Sequence, residues 1–257
     1  MKKGIFALCL SLAVILGPAR FALAHFGMIV PSDQMVMNGE DKNVHLDLLF
    51  WHPFEGQGMN LVKPAAFDVF FDGKKTDILG TLKEKDRNGL AAWETTYQIG
   101  RPGLYAFVMQ PTPYWEPAED CFIVHYTKVY VAAFGDDEGW DLPLGLKTEI
   151  APLSKPYGLY AGNVFQGQVL LNGQPVPGAE VEIEYYNNGQ AGEAPSDYMV
   201  TQTVKADPNG VFTYAAPKAG WWGFAALSTD DKKIKQDGVD KDVEIGGVIW
   251  VQFHEMK

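Results

Sequence analysis

The sequence predicts an all-β protein built as two β-sandwich domains, and three observations carry that prediction. Apolar and polar residues alternate with a period of two through most of the chain. Gly, Pro, Asn and Asp interrupt this alternation at short intervals, with 27 glycines and 16 prolines in 257 residues. No stretch sustains a helical repeat over three turns.

Residues 1–24 come before the first strand and have the build of an export signal. Lys2 and Lys3 form a basic start and Ile5 to Leu16 an apolar run. Pro18 breaks the run, and Ala22-Leu23-Ala24 supplies the small-x-small pattern of a cleavage site. The run is shorter than the ~20 apolar residues that span a bilayer, and Cys9 sits inside it, which argues against a lipid anchor. Cleavage after Ala24 is expected to leave 233 of the 257 residues. It removes Lys2, Lys3 and Arg20 and no acid, so the formal charge becomes −14 in place of −11. Such a chain repels phosphate backbones, so no nucleic-acid partner is expected, and it gathers cations at its surface. It keeps one cysteine, Cys121, and so no internal disulfide. The expectation is a soluble periplasmic protein.

The first domain, residues 25–155, is expected to be an immunoglobulin-like sandwich. Its strands are read at Phe26–Val30, Val44–His52, Ala65–Phe71, Trp93–Ile99, Gly103–Gln110 and Cys121–Phe134. "DG" at 72–73 and "NG" at 88–89 mark turns between them. The segment "EIAPLSKPYGLYAGN" at 149–163 breaks the alternation with two prolines and two glycines, and the boundary is placed there. The second domain, residues 156–257, is rich in hairpins, with turns at "NGQPVPG" and "DPNG", and "IGGVIWVQF" at 245–253 is the length of one strand. This half resembles the small transthyretin-like or carboxypeptidase-regulatory sandwich, a module that is more often scaffold than active site. No chemistry is assigned to it.

Enzymatic signatures are missing. The chain has no Gly-x-Ser-x-Gly, no phosphate-cradling glycine loop, no His-Glu-x-x-His and no Cys-x-x-Cys, so it is read as a binding protein and not an enzyme. Histidine is the informative residue type, because only five occur: His25, His45, His52, His125 and His254. Cleavage after Ala24 would give His25 a free α-amine, and amine and ring together can chelate one ion. Imidazole suits Zn, Cu, Fe and Ni. The plain alternative is a residue that merely follows a cleavage site. His52 ends a strand whose alternation places Val44, Leu46, Leu48 and Phe50 on its own face. Pro53 then leads into a loop carrying Glu55 and Met59. His52 can ligate at that rim or simply cap the sandwich. His125 follows an acidic, aromatic loop (Tyr114, Trp115, Glu116, Glu119, Asp120), whose carboxylates can ligate or orient a metal-bound ring; a buried strand histidine is its alternative. His45, beside Asp47, reads as a surface residue, His254 as tail, and Cys121 as a small apolar filler.

The stretches "AHFGMIVPSD", "HPFEGQGMNLVKP", "PTPYWEPAEDCFIVHYTKV" and "EIAPLSKPYGLYAGNVFQGQVLLNGQPVPGAEVEIEY" together resemble the periplasmic component of cobalt/nickel ABC-type (energy-coupling-factor) transport systems. The resemblance runs from His25 to about Tyr185. It implies a protein that captures Ni2+ or Co2+ and presents it to the membrane subunits of a transporter. His25, His52 and His125 fall in the matching stretches, with Glu55 and Glu116 available to complete the ligand sphere. Because imidazole binds metal only when neutral, affinity is expected to fall below about pH 6. Two other readings stay open: a copper carrier or oxidative copper enzyme using the His25 chelate, and a structural or carbohydrate-contacting sandwich presenting Tyr114, Trp115 and Trp140.

Overall fold

A computed structural model describes residues 25–189 and 192–256. The expected export signal, residues 1–24, lies outside them. The described chain is an all-β sandwich whose principal strands are β1 (Phe26–Pro31), β2 (Asn43–His52), β3 (Ala66–Phe71), β4 (Lys83–Arg87), β5 (Leu90–Gln98), β6 (Gly103–Gln110), β7 (Tyr114–Glu116), β8 (Cys121–Ala133), β9 (Thr148–Pro152), β10 (Val164–Leu171), β11 (Glu180–Tyr185), β12 (Gln202–Lys205), β13 (Val211–Ala215), β14 (Gly220–Thr229) and β15 (Val243–His254).

These strands form three layers. The central sheet runs β12-β11-β14-β15-β8-β6-β3, with β7 paired to the start of β8. One outer sheet runs β1-β2-β5-β4, and the other holds β9, β10 and β13. Alternation along the central strands separates two cores. On β8, Val129, Val131 and Ala133 join the core under the first outer sheet, while Tyr130 joins the other core. On β15, Val248 and Trp250 face the first core, and Ile249, Val251 and Phe253 face the second. A strand covered on both faces must be apolar on both, which is why "VIWV" reads as a continuous run.

The two halves of the chain therefore meet in one sheet, and β8 and β15 are the strands that join them. They pair in parallel, from Phe122 opposite Val243 to Val129 opposite Trp250. The segment read as a boundary also contributes to the body of the fold. Thr148–Pro152 is a buried strand that pairs with β10, from Thr148 opposite Leu171 to Pro152 opposite Gly167. Its Glu149 is almost fully enclosed and forms an ion pair with Lys128 of β8 at 2.7 Å. The amides of Leu144, Gly145 and Leu146 also donate to its two oxygens.

Candidate functional site

Three of the five histidines gather at one end of the layer between the central sheet and the first outer sheet. His25 immediately precedes β1, and its ring lies 4.5 Å from that of His52, centroid to centroid. It stacks on Phe50 at 5.6 Å and is flanked by Tyr114 at 6.3 Å. Its Nε2 is 3.2 Å from Oε2 of Glu116. The other oxygen of Glu116 accepts the amide of Ala118 at 2.8 Å, so one end of this carboxylate is anchored and the other is aimed at the ring. His52 is placed where the alternation of β2 predicts. Pro53 ends the strand, and Gly56, at φ +68°, turns the chain so that its amide reaches the His52 carbonyl at 3.0 Å.

Burial and the adjacent His52 ring disfavour a positive charge on His25 and lower its pKa to about 4. Glu116 opposes the shift, His125 adds to it, and Glu244 opposes it in turn. The ring is therefore neutral, and so able to bind a metal, about two units below the pH 6 limit expected of an ordinary imidazole.

His125 is only 1% exposed and sits between two glycines. A Cβ on Gly246, its neighbour across the β8–β15 pairing, would fall 2.5 Å from its Cδ2. A Cβ on Gly27 would fall 3.2 Å from its Cβ and 2.3 Å from Oγ1 of Thr127. Both positions lack a side chain because the ring and its strand occupy the space. The Gly27 amide donates to Nδ1 at 3.4 Å, a long contact, and Nε2 faces Oε1 of Glu244 at 3.5 Å. With a hydrogen donated into Nδ1, the neutral ring carries its proton on Nε2, toward that carboxylate. The His125 ring meets Phe50 edge-on at 6.0 Å, and Phe50 in turn stacks on His25.

Glu55 lies near Glu184, whose pKa its charge helps to raise. His45, Asp47 and Glu94 are the only His, Cys, Asp or Glu trio among the described residues whose ligand atoms all lie within 4.8 Å of one another. Cations of the chain already occupy that trio, since Lys85 pairs with Glu94 and Arg87 with Asp47. At the His25 end the donors stand farther apart. Burial pushes the Cys121 thiol up to about 11, helped by Glu244, Glu119 and Glu116, so without a bound ion it is a neutral thiol at neutral pH. His254 lies at the end of β15, paired with Tyr160. Tyr114, Trp115 and Trp140 are half-buried and packed against the cores.

Sequence reasoning missed the acidic and polar groups that the second half supplies. Glu244 reaches His125 only because β15 lies beside β8. Glu184 accepts the amide of Phe54 at 3.2 Å, and Asn187 donates to the Phe54 carbonyl at 3.1 Å, so the turn after His52 is held from β11 and the residues that follow it. Burial, with neighbouring carboxylates, raises Glu182 to about 7. Burial likewise raises Glu184 to about 7, with hydrogen bonds from Thr201 and Phe54 opposing the shift. No local motif signals these residues, which come together only through pairing across more than a hundred positions.

Among curated proteins no sequence matches this chain. Several solved structures resemble it weakly. The D0-D1 domain of Intimin aligns with 12% identity over 87% of this chain and 99% of that one, with a TM-score of 0.26. A putative carbohydrate binding protein from Bacteroides uniformis aligns with 11% identity over 89% and 97%, with a TM-score of 0.24. The alpha-2-macroglobulin of E. coli aligns with 11% identity over 89% of this chain and 14% of its own, with a TM-score of 0.24. At scores this low none of them bears on function. The family match covers most of the chain: over residues 22–230 it belongs to the family described as a domain of unknown function, DUF4198.

Proposed function

We propose that the protein captures a divalent transition metal ion, with His25 and His52 as the nitrogen donors and Glu116 as the carboxylate that orients or joins them. One observation carries the reading: two imidazoles 27 positions apart in sequence meet at a 4.5 Å centroid distance, beside a carboxylate already anchored by a backbone amide. Cleavage after Ala24 would add the α-amine of His25 as a further nitrogen. The depressed pKa of His25 supports the reading, because a neutral ring is the ligating form. Ni2+ or Co2+ as the ion, a periplasmic location and delivery to the membrane subunits of a transporter rest on the resemblance of the His25, His52 and His125 stretches to the cobalt/nickel transport component. No catalytic group is assigned.

Calorimetry and elemental analysis of the native chain with Ni2+ test this, using His25→Ala and His52→Ala beside His45→Ala as control. Each of the first two should weaken binding by at least about tenfold, equivalent to about 1.4 kcal/mol, and the control should not. Equal affinity in all four proteins contradicts the proposal. A copper protein is the second reading, favoured by the pairing of the two rings and by the greater intrinsic affinity of nitrogen sites for Cu2+. Ascorbate-driven peroxide formation by the copper-loaded protein supports an oxidative enzyme, and its absence supports carriage.

A further inference from the structure

Two carboxylates beside the histidines have no cation of the chain to balance them. Glu244 lies on β15, two positions before the Gly246 that pairs with His125, and Glu119 sits in the turn between β7 and β8. Among the described residues the Glu244 carboxylate meets only His125, at 3.5 Å, and that of Glu119 only the Cys121 thiol, at 4.0 Å. Elsewhere such groups are matched: Glu149 has Lys128, Asp47 has Arg87, and Asp120, next to Glu119, has Lys241 at 2.7 Å. The unmatched charges act on one place. Burial and then the charges of Glu244 and Glu116 raise Glu119, and Glu116 and Glu244 both favour a positive charge on His25. Exposure falls toward that ring: Glu119 is exposed, the Glu244 side chain is 28% exposed, and those of Glu116 and His25 are 11% and 10%. Behind Glu244, Nε2 of His125 is buried, has no hydrogen-bond partner and is aimed at Oε1. At 3.5 Å that contact falls short of a hydrogen bond, so the carboxylate keeps its acceptor capacity for a ligand. Unbalanced carboxylates repel one another, and such groups collect where a charged ligand is handled.

We infer that Glu244 and Glu119 draw a hydrated dication to the His25–His52 donors without ligating it, and so set the rate of its capture. The inference rests on the metal-capture reading above and adds how the ion arrives. A hydrated dication binds in two stages: it gathers beside the site with its water shell intact, then exchanges water for imidazole. The first stage depends on local charge, and acidic surroundings can raise association by about 10- to 1,000-fold. Neither carboxylate belongs to a ligand trio that closes within 4.8 Å, which leaves both the long-range role.

The probe is aqueous Ni2+, mixed by stopped flow with the full chain after its native N-terminal processing. Uptake of the ion is read with a chromogenic chelator, and dissociation by transfer to an excess of that chelator. At about 10 mM ionic strength, where charges act over ~30 Å, Glu244→Gln and Glu119→Gln should each slow association about threefold and together about tenfold. Dissociation should not change. At about 150 mM salt, where the reach falls to ~8 Å, the loss in the double variant should shrink to about threefold or less. Glutamine keeps the shape of each side chain, so the urea midpoint should hold. Glu84→Gln removes the same charge from the edge strand β4, three strands from β1, and should alter neither rate. Association at the wild-type rate in the double variant, or an equal loss in Glu84→Gln, overturns the inference while metal capture stands. Faster dissociation in either single variant also overturns it, because that carboxylate then ligates the ion. If the wild type binds no Ni2+, metal capture is overturned and the inference falls with it.

Discussion

Replacing Gly246 by alanine tests how the central sheet positions His125. The added methyl would stand 2.5 Å from Cδ2, 2.9 Å from Nε2 and 3.1 Å from Cγ of the imidazole, where ordinary contacts begin near 3.4 Å. The ring has to move by most of an ångström, and the Gly27 strand with Oγ1 of Thr127 closes the space around it. Overpacking of this kind costs about 1–3 kcal/mol, while removing a glycine from a strand returns about 0.5–1 kcal/mol. The net loss should be about 1–2 kcal/mol, read from the urea midpoint at unchanged slope. The cause is isolated by a double-mutant cycle with His125→Ala. In that background the methyl occupies vacated space, and Gly246→Ala should be neutral or slightly stabilising. An equal cost in both backgrounds would show that the glycine is there for some reason other than the ring.

Two further expectations concern buried charge. Glu182 and Glu184 titrate near 7 in the fold against an ordinary 4.5, so the stability they contribute is full below 4.5 and is lost as pH rises through 7. His25, lowered to about 4, acts in the opposite sense only below 6.5. Urea stability should therefore rise as pH falls from 8 to 6.5, by a little under about 1 kcal/mol from each of the two carboxyls; Glu184→Gln should roughly halve that rise, and an unchanged slope would refute the assignment. Lys128→Met leaves Glu149 enclosed without its cation, and should cost about 3–5 kcal/mol in the same assay.

The strands of the first half were legible because their alternation is local. Gly103–Gln110 has the expected bounds, and Cys121–Ala133 is one residue shorter than expected. The Lys83–Arg87 strand was not legible, since an edge strand of charged residues has no apolar face to reveal it. The prolines of 149–163 read as a break, yet Thr148–Pro152 lies buried within the fold, because its partner β10 and the neighbouring β15 are supplied by later sequence. In the candidate site the same division holds. His25 and His52 stood out through scarcity and position at a chain start and a strand end. Glu244, Gly246, Glu184 and Asn187 did not, since what brings them to the histidines is the parallel contact of β8 with β15 and the docking of the Pro53–Gly56 turn on the second half.

Metal capture at His25 is strongest if the α-amine that cleavage would free joins its ring on the ion, and one comparison tests this most directly. Ni2+ binding is measured by calorimetry on the chain beginning at His25 and on the same chain with one alanine placed before it. Loss of the amine donor should weaken binding by at least about tenfold and leave the urea midpoint unchanged. Equal affinity in the two proteins would contradict the claim.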